Sequence, residues 1–216
     1  GKVEDREGVS MPTATQILSE MAARYAGCSS YRDIGEVLMV FTELGPHEHR
    51  RRSARPFKTW FIRPDRFRFE FRERTIGPEE EWDRTVIVAH GDVVQTHWTN
   101  GPDRPERSLG RALAGATGIS GGSAHTVPCM LLREEVRGFH LTQLHDVTLD
   151  GQEVLDGVEC YVLQGTHPSS RQARTLWVGC EHLLLIKSHD SSTHTPAPRP
   201  VDASMFANFD TSNPAD

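Results

Sequence analysis

A chain of 216 residues with 37% hydrophobic residues, 18 glycines and a formal net charge of −6 has material for one large β-rich domain or two small ones. Its arginines are scattered rather than gathered into the basic footprint of a nucleic-acid binder, and no apolar run approaches the ~18–20 residues that span a bilayer. The four cysteines (Cys28, Cys129, Cys160 and Cys180) form no CxxC pair, which argues against a zinc ribbon.

Residues 1–12 are polar, lack the apolar core of a leader peptide and read as a disordered lead-in. The chain opens on Gly rather than Met, which favours a chain trimmed to a mature form. Thr13-Ala14-Thr15-Gln16 matches a capping box, and Ile17, Leu18, Met21, Ala22 and Tyr25 follow on one helical stripe, with Gly27 as the expected stop. A strand over 31–44, a charged turn over 45–55 and a strand over 57–63 come next.

After Pro64 and Asp65 stands Arg66-Phe67-Arg68-Phe69-Glu70-Phe71-Arg72. Phenylalanine at every second position is a two-residue period, which sends three rings to one face of a strand and the charges to the other. Strands over 82–90 and 93–99 form a hairpin about Gly91-Asp92.

A turn over 100–107 leads into an insertion: a short helix over 108–114, a Gly/Ser-rich loop over 115–128, and a helical turn over 129–132. Strands resume over 141–149, 158–165, 175–178 and 182–189, with turn signals at Asp150-Gly151 and Asp156-Gly157. The segment 191–216 is proline-rich, with Met205-Phe206 as the one place for a late docking strand. The expected architecture is mainly β (α+β): a curved, half-open antiparallel barrel over 13–190, with the N-terminal helix and the helical insertion on its concave face. A two-sheet sandwich is the competitor.

This order of elements resembles the periplasmic lipoprotein-carrier superfamily, the LolA/LolB-like fold and its bacterial relatives. The matching pieces are the helix over 13–26, the 57–63 segment, Arg63-Pro64-Asp65-Arg66-Phe67-Arg68-Phe69-Glu70 and the Gly91-Asp92 hairpin. The 108–132 insertion also matches, as does Val158-Glu159-Cys160-Tyr161-Val162-Leu163 leading to Thr175-Leu176-Trp177-Val178. The resemblance implies an unclosed barrel plugged by helices, with acyl chains taken up between them, in the periplasm or an equivalent exported location. Its implied partners are a hydrophobic ligand or acyl chain and an envelope protein.

On that reading Phe67, Phe69 and Phe71 wall an apolar site together with Phe61, Val86 and Val88, while Leu109, Leu113, Leu131 and Leu132 form a helical lid. A filled core in an interaction module is the alternative for the same residues. Each methylene of a guest buried there would contribute ~0.8 kcal/mol. No catalytic residue, cofactor or metal is assigned.

Three other patterns weigh less. Gly118-Ile119-Ser120-Gly121-Gly122 fits the spacing of a nucleophile elbow, with Asp146 and His182 to complete a triad, but no strand precedes the serine. His47-Glu48-His49 lacks a third ligand and is flanked by Arg50, Arg51 and Arg52, which with Arg55 form the one basic cluster. Cys160 and Cys180 stand nearly symmetrically about the loop at Pro168, so a disulfide between them is left open.

Overall fold

The structure is a computed structural model that describes residues 11–43, 49–73, 78 and 81–191, without the side chains of 41–43, 49–51 and 191. The first helix, α1 (Ala14–Gly27), starts as its sequence dictates: Thr13 Oγ accepts from the Gln16 amide at 3.2 Å, and Gln16 Oε1 accepts from the Thr13 amide at 2.8 Å. It buries Ile17, Leu18, Met21 and Tyr25. Gly27 is the last helical residue, and the chain leaves through Cys28 in an extended conformation, so no left-handed glycine stop is used.

Strands β1 (Ser30–Glu43), β2 (His49–Ile62), β3 (Arg66–Glu73), β4 (Asp83–His90), β5 (Val93–Trp98) and β6 (Arg104–Glu106) follow in order and pair in that order as one antiparallel sheet. The charged segment read as a turn over 45–55 is strand from His49 onward, and β6 is a strand the sequence pattern did not mark. The insertion holds α2 (Leu109–Thr117), capped by Ser108, then α3 (Ser123–Thr126) and α4 (Pro128–Leu131).

A 3₁₀ turn at Leu141–Gln143 replaces the expected start of a strand, because Gln143 turns back to accept from the His140 amide. A second antiparallel sheet contains β7 (His145–Leu155), β8 (Val158–Thr166), β9 (Ala173–Gly179) and β10 (Leu185–Ser191), in the order β10-β9-β8-β7. Asp150-Gly151 lies inside β7 as an irregularity, with Gly151 at φ 128, rather than ending the strand. The α+β class stands. Among the described residues neither sheet closes into a barrel; the strands form sheets of six and four.

Register fixes what faces the core. Across the first sheet, one row runs Tyr31, Phe61, Phe67, Ala89, Val94; the next runs Asp33, Thr59, Phe69, Ile87, Thr96; and the third begins Gly35, Phe57, Phe71, Thr85. α2 lies against β4, β5 and β6, while α1 packs on α4, β7 and the 3₁₀ turn. The Tyr25 hydroxyl accepts from the Leu185 amide at 3.1 Å and so fastens α1 to the start of β10. One apolar core runs continuously through both sheets and the helices.

Candidate functional site

The inner face of β1–β5 is the surface on which the aromatic pattern converges. Phe61, Phe67, Phe69 and Phe71 all point to it and are 0–4% exposed. Phe61 and Phe67 sit with ring centroids 6.5 Å apart, Phe69 and Phe71 at 5.9 Å, and Phe57 stacks on Phe69 at 6.2 Å. Leu109, Leu113, Leu131 and Leu132 from the insertion belong to the same buried cluster, so the structure brings these eight expected residues together.

Val86 and Val88 are not among them. In register they stand beside Glu70 and Arg68, on the opposite face of the sheet, while Ile87 and Ala89 point inward. Thr85-Val86-Ile87-Val88 is apolar in both phases, so alternation alone does not choose a face. Val86 is buried on that outer face next to Glu70, whose carboxylate meets Arg68 at 2.8 Å and Arg84 at 4.0 Å.

The cover over the inner face is built from short pieces. At Gly110 the helix backbone comes so near the 132–136 turn that a Cβ would stand 2.1 Å from the Glu135 carbonyl oxygen. Gly121, at φ 66, lies against Val37 and Met39 on the inner side of β1, both half-buried. At the other end, Arg63 gathers the cover. Its guanidinium donates to the carbonyl oxygens of Cys28 at 3.0 Å, Ala26 at 2.8 Å and Leu131 at 3.2 Å, while stacking over the Phe61 ring at 4.9 Å. These are the orphan carbonyls of the ends of α1 and α4, where a cation is favoured. Nothing local in the sequence marks Arg63 for this role, since its acceptors lie 35 to 68 residues away.

Polar groups also enter the inner face. Asp33 Oδ2 accepts from the Tyr31 hydroxyl at 2.9 Å, whereas Asp33 Oδ1 and the hydroxyl of Thr59, its cross-strand neighbour, are buried without a well-formed hydrogen bond among the described residues. Burial pushes the Asp33 carboxyl above its ordinary value, against the opposing pull of the Thr59 and Tyr31 hydroxyls, and burial likewise raises Tyr25 and Tyr31. Arg55, expected in an exposed basic cluster, faces inward and pairs with Glu73 at 2.8 Å, while Arg52 is exposed. The side chains of Arg50 and Arg51 are outside the described residues.

The remaining patterns resolve differently. Ser120 is fully buried; its Oγ donates to the Thr117 carbonyl at 3.2 Å and accepts from the Ala124 amide at 3.1 Å. That hydroxyl joins α2 to α3 and follows a helix rather than a strand, so no nucleophile elbow forms; Asp146 and His182 are exposed. His47 and Glu48 lie outside the described residues, as does the Met205-Phe206 segment; among the described residues no cluster of His, Cys, Asp or Glu has metal-binding geometry.

All four cysteines are free thiols, with Cys160 opposite Gly179 rather than Cys180, and burial pushes the Cys129 thiol up to about 12. No helix of the described residues is long and apolar enough to cross a membrane. An open depression of about 640 Å³, lined in part by Phe139, Leu144, His145 and His167, lies away from the phenylalanine rows.

No protein-family model matches the sequence, and no curated protein does. The chain is similar to several solved structures. A LolA superfamily protein from Nitrosomonas europaea is 16% identical, over 85% of this chain and 73% of that one, with a TM-score of 0.33. A putative outer membrane lipoprotein-sorting protein domain from Vibrio parahaemolyticus is 13% identical, over 83% and 72%, with a TM-score of 0.36. A DUF1329 family protein from Desulfovibrio piger is 17% identical, over 83% and 72%, with a TM-score of 0.35.

Proposed function

We propose that the protein is a non-enzymatic binding or carrier protein for a hydrophobic ligand, a lipid or a lipidated chain, acting outside the cytoplasm as a single domain over 13–190. One observation carries the reading. The phenylalanine-rich inner face is roofed by short helices joined through glycines, and that roof thins toward β1, where Val37 and Met39 are only half-buried beneath the Gly121 loop. Displacing the part of that roof formed by α3 and α4 breaks few backbone hydrogen bonds, because each is four residues long. The face it uncovers is an aromatic and aliphatic wall interrupted toward β1 and β2 by Asp33, Thr59 and Arg55, the inner half of the unclosed barrel in this reading, with Phe61, Phe67, Phe69 and Phe71 as its floor and Leu109, Leu113, Leu131 and Leu132 as its lid.

The test is solvent extraction of the purified protein followed by mass spectrometry, together with titration of a fluorescent fatty-acid probe. Co-purified acyl chains, or saturable probe binding that Met39→Asp weakens, support the carrier reading. Failure of both leaves the filled interior as the core of an interaction module.

A further inference from the structure

Among the described residues the two sheets present four edges, and three of them are defended against pairing with another chain. β6 is three residues long and contains Pro105; β7 is broken by two irregularities; β10 is seven residues with an irregularity of its own and carries Lys187, His189 and Asp190. Short length, proline, bulges and charge are the usual means of blunting an edge. β1 has none of the structural ones. It is fourteen residues long, pairs with β2 in unbroken register, contains no proline, and has no partner on its other side among the described residues. Its outward face exposes Ile34 at 66%, Leu38 at 56% and Val40 at 52%. The two charges on that face, Arg32 and Glu36, are exposed and make no ion pair within the described residues.

Those charges are spaced symmetrically about Ile34, and we propose that β1 pairs antiparallel with β1 of a second copy of this chain, about a two-fold axis at Ile34. A two-fold axis perpendicular to the sheet keeps outer face beside outer face, so only registers centred on a residue are allowed. Centring on Ile34 sets Arg32 of each copy directly opposite Glu36 of the other and brings the two Ile34 side chains together. Centring on Glu36 opposes like charges, and centring on Leu38 places Glu36 against Val40. Only the Ile34 register satisfies both charges on each copy. The product is a sheet continuous across the two copies, held by main-chain hydrogen bonds and two symmetric ion pairs. It forms on the edge and outer face and is independent of whether the inner face takes a ligand.

Sedimentation of the full chain across a dilution series, with three charge variants, tests this pairing. The wild type is expected to dimerise. Arg32→Glu alone and Glu36→Arg alone each create two repulsive pairs and weaken association by about tenfold or more. Mixing the two single variants restores a dimer, because each then supplies the charge the other lacks, and Arg32→Glu/Glu36→Arg in one chain restores it too. Both positions are exposed, so the variants keep the wild-type circular dichroism. A wild type that stays monomeric at every concentration overturns the proposal and leaves the edge to a different partner or to residues 192–216. Single variants that associate like the wild type, or a mixture no tighter than either alone, overturn it as well.

Discussion

Arg63 Nη2 donates to the carbonyl oxygen of Leu131 at 3.2 Å, joining the end of β2 to the end of α4 across 68 residues of sequence. The same nitrogen holds the Ala26 carbonyl and Nε holds that of Cys28, so one planar fork closes two helix termini. A lysine has one point charge and no fork. Arg63→Lys is therefore expected to lose most of what Arg63→Ala loses, about 1–2 kcal/mol for partly exposed charged hydrogen bonds. Urea unfolding measures the loss, and amide exchange should quicken first at the ends of α1 and α4. Uniform exchange across the chain would count against a latch at this point.

Two glycines of α2 should respond to the same substitution with opposite signs. At Gly110 a Cβ would meet the Glu135 carbonyl oxygen at 2.1 Å, a backbone atom that cannot swing aside. Gly115 is exposed, and a Cβ there meets nothing within 4 Å. Gly115→Ala is expected to stabilise by about 0.5–1 kcal/mol through helix propensity. Gly110→Ala is expected to cost about 1–3 kcal/mol by forcing α2 off the 132–136 turn. Thermal melts of the two variants read both signs, and a gain at Gly110 would refute the close approach.

What the sequence disclosed follows how local each signal is. The Thr13–Gln16 cap and the phase of Phe67, Phe69 and Phe71 were legible because each is decided within a few neighbouring residues. Gly35 shows the limit. Its role depends on Phe57, its partner on β2, whose ring covers the glycine so closely that a Cβ would stand 2.4 Å from it. Asp150-Gly151 reads as a turn because turns and strand irregularities favour the same residues. Arg63 stands directly before Pro64 and the phenylalanine run, yet its carbonyl acceptors are set by tertiary packing and carry no side-chain signature.

The four-residue run at the centre of β4 offers a direct test of which face was misjudged. Ile87 is fully buried on the inner face beside Phe69, whereas Val88 is half-buried on the outer face beside Arg68. Ile87→Ala is expected to cost about 2–4 kcal/mol, the combined loss of transfer energy and the cavity left behind. Val88→Ala, with solvent and long side chains able to fill the gap, is expected to cost less than about 1 kcal/mol. Chemical denaturation of the two variants decides the phase, and equal losses would mean that β4 buries both faces alike.

Asp33 makes stability depend on pH in a direction opposite to that of a salt-bridged carboxylate. Its folded-state pKa lies above the ordinary value of 3.8 because burial disfavours the charge. Between those two values the native state keeps a proton that the unfolded chain has released, so native stability falls as pH rises through that interval. Above the folded value the loss is complete and the curve levels off. Asp33→Asn retains an oxygen to accept from the Tyr31 hydroxyl but cannot ionise. The variant should therefore match the wild type near pH 3.8 and below, and gain on it steadily at higher pH until a plateau. Unfolding free energies of the two proteins across a pH series isolate this one group, since every other titration is shared. Parallel curves would show that Asp33 is solvated in the native state and that the polar row across β1 and β2 is open to water.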